Sequence, residues 1–406
     1  RILSASSGRF TRLPPLTGSM TLRDLVVSLS LQSDNFTRNR VDKHNEALKV
    51  LPVLFSENGY ETTICDVPYA NYQWIPDMSI YDAYPEMDTY VTEGVFVDEE
   101  TKQSRISNNL RNFFCFGLMK TMPLALQNTL YAYGSYNQAD GDTGHIMYTP
   151  HTSEGINGDF MNAYTVLENL SNITQIAETG KDTFLLLTNN STHEPSLLQA
   201  PNYTVSDIVD NTEFYSTNQN LFTLNGITIK METLMHTSHY QINVASLSRL
   251  GDWFDYLREN GVYDNTRIIL VADHGRAIGQ IDELIYDESL EDLGDLEAYY
   301  PLLMVKDFDS EGFTVSDEFM TNADVPTLAV DGVIENPKNP FTGKDINSNE
   351  KFAHDQYIIA STEWDTYVNN GNQFIPAKWF AVSNNIWDLN NWRFIDEITT
   401  IPEECK

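Results

Sequence analysis

The sequence predicts an α/β fold: a mostly parallel central sheet with helices on both faces, and a small C-terminal antiparallel subdomain. Three observations predict it. Residues 183–188 (TFLLLT), 267–272 (RIILVA) and 300–305 (YPLLMV) are continuous apolar runs, the pattern of strands covered on both faces. Helical periodicity separates the first run from the second and follows the third, and strands alternating with helices favour parallel pairing. Beyond residue 345 the chain turns aromatic- and Asn-rich, with short alternating stretches.

The elements follow in order. Residues 41–58 predict a helix, with Ala47, Leu48, Leu51, Leu54 and Phe55 roughly on one face and a kink at Pro52. Gly59 ends it, and residues 61–65 alternate like a short strand. Residues 131–157, rich in Gly, Asp, Tyr and Thr, predict a long excursion over the sheet edge, a kind of loop often functional rather than connective. Residues 229–260 predict the longest helix, from the spacing of Ile242, Ala245, Leu250, Trp253, Phe254 and Leu257, with Gly261 as C-cap. The RIILVA and YPLLMV strands come next, then a helix within 323–330 and a strand at 356–360. The predicted division is a catalytic domain over residues 1–344 and a subdomain over 345–406.

Composition narrows the function. The chain has 406 residues, with 41% hydrophobic and 12% aromatic residues, so it can bury a sizeable core. Lys plus Arg is 25 against 58 for Asp plus Glu, a formal net charge of −33. Such a surface repels DNA, RNA and anionic lipid headgroups, and it excludes nucleic acid as a class of partner. It also repels a phosphorylated substrate unless a cation or a local basic group sits at the site. The longest apolar stretch, residues 113–119, stops at Lys120, well short of the roughly 20 residues of a membrane-spanning helix. The three cysteines, Cys65, Cys115 and Cys405, form no CxxC pair, which excludes a disulfide framework and a structural zinc site. The chain opens on Arg1 without a signal peptide and reads as a fragment or a processed product.

In open α/β sheets, ligands bind beyond the carboxyl ends of the strands. RIILVA runs straight into Asp273, His274 and Gly275. An adjacent Asp–His pair offers one hard oxygen and one imidazole, a donor set for Mn²⁺ or Zn²⁺, and Gly275 lets the backbone turn away at once. The bland alternative is a turn in which Asp273 caps the next segment. TFLLLT leads through Asn189 and Asn190 to His193 and Glu194, where a solvated loop histidine is the alternative. His236 and His239 stand three apart near the start of the long helix, without a paired carboxylate. His145 and His151 lie in the excursion, and Trp253, Trp364, Trp379, Trp387 and Trp392 read as packing residues.

Four segments together resemble the sulfatase-like alkaline phosphatase superfamily, in the family's order. RENGVYDNTRIILVADHG (258–275) resembles the segment that ends in its metal-binding Asp-His. LLLTNNSTHEP (185–195) is similar to the strand and loop that place a substrate-facing histidine in the lipoteichoic acid synthase and phosphoethanolamine transferase branches. LPVLFSENGYETTICD (51–66) resembles the helix and strand after the nucleophile, and MTNADVPTLAVDGV (320–333) the closing element with its Asp-x-Pro-Thr. No Cys or Ser stands in the C/S-x-P-x-R motif of true sulfatases. GRFTRLPPLTGSM (8–20) offers instead Thr11, ahead of Pro14, Pro15, Leu16 and Gly18, as the transferase-type nucleophile, about a residue closer than the branch has it, with Ser7 a competitor. The resemblance also implies an acidic metal ligand at the end of a first strand upstream of the nucleophile, for which this chain leaves no room before Thr11. A strand lost ahead of Arg1 is the expectation.

What the resemblance implies is a metal-dependent extracytoplasmic phosphotransferase. It would take phosphodiester donors of the phosphoglycerol or phosphoethanolamine type and modify a cell-envelope glycan or lipid through a phospho-threonine intermediate. One divalent ion is implied, Mn²⁺ or Zn²⁺ with Mg²⁺ as a third candidate, held by Asp273, His274 and Thr11. His193 would bind a non-bridging oxygen or protonate the leaving group, and Arg276 could pair with phosphate. In the family such domains hang from membrane helices, which would precede Arg1. A hydrolase of phosphate or sulfate esters and a catalytically degenerate glycan-binding domain on the same fold stay open as alternatives.

Overall fold

The computed structural model describes residues 40–73, 75–98, 110, 113–124, 126–127, 149–154, 157–176, 180–224, 226–353, 355–360 and 377–398. Its main helices are α1 (Arg40–Glu57), α2 (residues 113–121), α3 (Gly158–Glu168), α4 (Leu234–Glu259) and α5 (Val325–Val330). Its main strands are β1 (Glu61–Cys65), β2 (Asp88–Tyr90), β3 (Thr152–Glu154), β4 (Thr183–Leu187), β5 (Ile208–Asp210), β6 (Ile268–Val271), β7 (Leu303–Lys306), β8 (Gln356–Ala360), β9 (Ala377–Val382) and β10 (Trp392–Ile398). The chain divides into two compact units. One takes the residues up to Val91, Gln175–Asn189 and Phe254 onward; the other takes Thr92–Thr174 and Asn190–Trp253.

In the first unit β1 lies between β2 and β4 and runs parallel to both, with Thr63 opposite Asp88 and Glu61 opposite Thr183. Helix α1 packs its apolar stripe on this sheet, and Phe55 stacks on Phe184 with ring centroids 4.4 Å apart. Pro52 sits inside α1 and has no N–H to give the Leu48 carbonyl. The Tyr81 hydroxyl donates to that carbonyl instead, at 2.9 Å. The helix stops at Gly59, whose φ of 89° suits glycine. There Gly59 N–H donates to Ser56 O, Tyr60 N–H donates to Phe55 O, and the Tyr60 ring meets Phe55 edge-on at 4.9 Å.

The third predicted strand pairs differently from the parallel expectation. β7 runs antiparallel to β6, Ile268 opposite Lys306, and among the described residues this pair is not hydrogen-bonded to the parallel trio. A parallel return needs a crossover, usually helical. Between β6 and β7 the chain makes only short 3-10 turns, Asp282–Leu284, Glu288–Gly294 and Leu296–Tyr299. Pro301 cannot donate to a ladder, so β7 begins after it. Ile269 and Val271 of β6 nevertheless share one core with Ile64, Phe184 and Phe55.

Helix α5 closes this core with Val325, Ala329 and Val330. It starts behind a capping box of Thr321 and Asp324, and its last carbonyls are taken by Arg267 at the foot of β6. Arg267 donates to Leu328 O at 3.0 Å, to Asp331 O at 2.6 Å and to the Asp307 carboxylate at 2.8 Å. The C-terminal antiparallel sheet is present as expected, in the order β8–β9–β10. Its Phe380, Val382 and Trp392 pack with Leu284, Leu296 and Phe319.

In the second unit α3 and α4 contribute Phe160, Tyr164, Ile242 and Ala245 to a core that includes Leu198 and Tyr203. β3 and β5 form a short antiparallel pair. Helix α4 begins five residues later than predicted, because Thr233 Oγ1 accepts the His236 N–H at 3.1 Å and sets the first turn. It ends as predicted at Gly261, with Gly261 N–H on Arg258 O and Val262 N–H on Leu257 O. Among the described residues, no helix is long and apolar enough to cross a membrane.

Candidate active site

Beyond β6 the backbone is held on both sides. Ala272 N–H donates to Leu302 O at 2.9 Å, and Gly275 N–H donates to Ala298 O at 3.0 Å. The Asn322 amide donates to the carbonyls of Ala272 and Asp273, at 2.9 and 3.0 Å. Gly275 lies so close to the turn Leu296–Tyr299 that a Cβ there would stand 1.9 Å from the Glu297 carbonyl oxygen. The glycine after the Asp–His pair is therefore required by close approach, since it shows no left-handed φ.

This frame orients the pair. Asp273 Oδ1 accepts the His274 backbone N–H at 2.9 Å. His274 Nδ1 lies 2.5 Å from Gly275 O. A carbonyl only accepts, so Nδ1 carries the ring proton and Nε2 presents its lone pair. Nε2 is buried with no hydrogen-bond partner and lies 3.7 Å from Asp273 Oδ2, too far for a hydrogen bond. Both side chains are largely screened from solvent. A lone pair buried without a donor beside a carboxylate oxygen is costly for a folded protein and suits a bound cation. Two ligands bonded at about 2.1 Å to one ion stand roughly 3.5 Å apart. The residues fit a single Mn²⁺ or Zn²⁺ ion, with Asp273 and His274 as two protein ligands. Among the described residues, no third His, Cys, Asp or Glu joins them into a metal cluster. Thr11, the third ligand expected, and its competitor Ser7 lie outside the described residues. Arg276 follows the pair with an exposed side chain.

His193 stands in the other unit, on a loop fastened along its length. His193 N–H donates to Asn190 O at 3.0 Å, and Asn190 Nδ2 donates to Glu93 Oε2 at 3.3 Å. Buried Ser191 and Ser246 share a hydroxyl hydrogen bond of 2.8 Å. The Asn157 side chain, which caps α3, donates to Pro195 O, and Gln241 of α4 accepts the Leu198 N–H. The His193 ring is thereby presented with Nδ1 2.7 Å from Glu194 Oε1, both side chains mostly shielded. Glu194 accepts from Nδ1 and so fixes the ring's orientation and the tautomer in which Nε2 carries the lone pair.

The remaining sequence candidates take structural places. His236 Nδ1 accepts the Glu232 N–H at 3.3 Å in the first turn of α4, and His239 is buried on the same helix. His151 stacks on Tyr215 at 4.5 Å, and burial holds its pKa below the usual value. Trp253, Trp379 and Trp392 are core residues, while Trp387 is exposed. His145 and Trp364 lie outside the described residues.

Two residues escaped the sequence reading. Asn322 steadies the Asp273 backbone from some fifty residues away, and no local pattern marks it. Asp66 is a buried carboxylate at the carboxyl end of β1, in a left-handed conformation with φ 54°. The neighbouring end of β4 reaches it through Thr188 N–H on Cys65 O, at 3.1 Å. Part of its signal was present, an acid directly after a short strand, but ETTIC alternates where the run before Asp273 is apolar throughout.

No protein-family model and no curated protein matches the chain. Solved structures do. The chain is similar to the lipoteichoic acid synthase LtaP of Listeria monocytogenes, at 12% identity and a TM-score of 0.39, over 99% of this chain and 86% of that one. It is similar to the phosphonate monoester hydrolase SpPMH of Silicibacter pomeroyi, at 13% identity and a TM-score of 0.44, over 94% and 85%. A protein of the alkaline phosphatase superfamily from Vibrio parahaemolyticus follows, at 14% identity and a TM-score of 0.38, over 97% and 78%.

Proposed function

We propose that the chain is an extracytoplasmic metal-dependent phosphotransferase of the sulfatase-like kind. In this reading it moves a phosphoglycerol- or phosphoethanolamine-type group from a phosphodiester donor to a cell-envelope glycan or lipid, as a membrane-anchored protein. One observation carries the reading: the His274 imidazole, with Nδ1 committed to the Gly275 carbonyl, holds a buried and unpartnered Nε2 beside Asp273.

Asp273 and His274 would hold one Mn²⁺ or Zn²⁺ ion, which when bound supplies Lewis-acid stabilisation of phosphoryl charge in a protein of net charge −33. Thr11 gives its hydroxyl proton to water and attacks phosphorus through the oxygen, the donor's alkoxide departs, and a phospho-threonine remains until Thr11 leaves and takes a proton back from water. His193, steadied by Glu194, delivers a proton to the departing oxygen and takes one from the acceptor hydroxyl that releases Thr11. Arg276 is the one cation next to the pair in sequence, and the proposal gives it a phosphate oxygen.

Titration calorimetry with Mn²⁺ and Zn²⁺ on this chain and on His274→Ala tests the centre. The expected result is about one ion per chain, lost in the variant. An affinity unchanged by His274→Ala overturns the assignment. Incubation with a phosphodiester donor and peptide mass mapping then asks whether the adduct sits on Thr11 or on Ser7. A product formed only with water, whatever alcohol is supplied, makes the enzyme a hydrolase.

A further inference from the structure

One helix breaks the rule that the others keep. α1, α3 and α4 each bury an apolar stripe. In α2 and the turn after it, none of the described residues from 113 to 127 is buried. Yet this is the most apolar stretch of the chain. Phe113, Phe114, Gly117 and Leu118 fall within one arc of the helix, and the structure exposes all four. Phe113 is 83% exposed and Phe114 68%. Leu124, just beyond, is 84% exposed, with Leu126 beside it in sequence also exposed. The opposite arc, Cys115, Phe116 and Met119, is half-buried, so this helix is apolar on both sides and turns its larger aromatic edge outward. A contiguous apolar surface of this kind marks a site of association.

Charge says what associates. In a chain where one residue in seven is acidic, no Asp or Glu occurs between Glu100 and Asp140, whereas Lys102, Arg105, Arg111 and Lys120 do. The most apolar helix therefore sits in a locally basic stretch of a protein of net charge −33, a property it shares with residues 1–23. Aromatic and leucine side chains interleaved with Lys and Arg fit an anionic bilayer surface, where rings enter the acyl boundary and cations meet headgroups. At about 13 Å for nine residues, α2 is far too short to span and suits lying in the interface. We propose that α2 is an interfacial anchor: Phe113, Phe114 and Leu118 insert into the headgroup region of an anionic membrane, with Lys120 at its surface. The proposal is independent of the ester chemistry above.

Vesicle flotation tests it, with equimolar phosphatidylglycerol and phosphatidylcholine against phosphatidylcholine alone. The chain is expected to float with the anionic vesicles, several-fold less with the zwitterionic ones, and less as salt rises. Phe113→Ser with Phe114→Ser should weaken partitioning at least tenfold while circular dichroism and thermal midpoint stay unchanged, since both rings are already exposed. Lys120→Glu, which disturbs no packing, should weaken it several-fold on anionic vesicles only. Phe313→Ser removes an aromatic that is 78% exposed among Asp309, Glu311 and Asp317, and should change nothing. Absence of flotation overturns the proposal, as does an equal loss in Phe313→Ser. A vesicle-free dimer that the double variant returns to monomer also overturns it, and makes α2 a contact between copies of the chain.

Discussion

Substituting Gly275 by alanine probes the candidate metal centre without touching either ligand. The new Cβ would lie 1.9 Å from the Glu297 carbonyl oxygen and 3.3 Å from that of Tyr300. Ordinary contact begins near 3.4 Å, so the backbones must part by about 1.5 Å or the loop must swing out. The Glu297 side cannot yield cheaply, because Leu296 and Ala298 on either side of it are fully buried. The loop moves, and the bond from Gly275 N–H to Ala298 O goes with it. Overpacking at about 1–3 kcal/mol plus a lost hydrogen bond at about 1 kcal/mol gives roughly 2–4 kcal/mol. In a unit of this size that lowers the thermal midpoint by about 5–10 °C. The Gly275 carbonyl also sets the His274 tautomer, so Mn²⁺ or Zn²⁺ affinity should drop about 10- to 100-fold. Thermal unfolding by circular dichroism and titration calorimetry read the two effects. A Gly275→Ala protein that melts within about 1 °C of the parent and binds metal equally well would refute the tight-approach reasoning. Gly279→Ala is the contrast. Nothing stands within 4 Å of its Cβ, but its φ is +65°, so about 1 kcal/mol of backbone strain is expected and no effect on metal.

Other perturbations separate structure from chemistry. Arg267→Met should cost about 2–4 kcal/mol by urea unfolding, because it strands the last carbonyls of α5; Asp307, half-exposed, simply rehydrates. A loss under about 0.5 kcal/mol would show that those carbonyls find water. His44 is buried and bonded to the Pro68 carbonyl, and burial lowers its pKa from 6.5 to about 4. Below pH 6.5 the unfolded chain takes up a proton that the folded chain refuses. His44 therefore contributes full stability above that value, lost as pH falls towards 4, by up to about 3 kcal/mol. His44→Gln should flatten the urea midpoint across that window, and an unchanged slope would exclude His44 as its source. If His193 protonates the leaving group, His193→Ala should lose about 100-fold or more on an alkyl phosphodiester and far less on a p-nitrophenyl one, whose leaving group needs no proton. Equal losses would assign it to binding. Glu194→Gln should follow the same pattern at about a tenth of the effect, as a residue that only orients the ring.

The elements that the sequence announced best are those built from local signals. Strand TFLLLT, the helix over residues 41–58 and the glycines that end α1 and α4 are set by apolar spacing and left-handed φ, so one short window contains their cause. The Asp273–His274 pair was legible for the same reason: a buried strand, a metal-capable pair and a glycine are contiguous. The antiparallel β7 was not, because pairing direction depends on what fills the thirty residues before it. Asn322 and the Arg267 clasp were invisible because their partners lie forty or more residues away, and nothing in either neighbourhood hints at the other. The interleaving of the two units escaped notice too. Helix α4 runs unbroken through the boundary at Trp253, where a composition scan looks for a linker and finds an amphipathic stripe.

That interleaving decides when the molecule can exist during its own synthesis. The chain passes between units four times, after Val91, Thr174, Asn189 and Trp253. The second unit has all its residues once Trp253 has left the ribosome. The first cannot close then, although α1, β1, β2 and β4 have long emerged, because β6, α5 and the C-terminal sheet are still unmade. Its oldest strands must then wait, half-covered, for about 145 further residues of translation, from Trp253 to the end of β10 at Ile398. At elongation rates of about 5–20 residues per second, that is an exposure of about seven seconds or more. The acidic surface gives a second service there, since a nascent chain of one charge sign resists clumping with its neighbours during the wait.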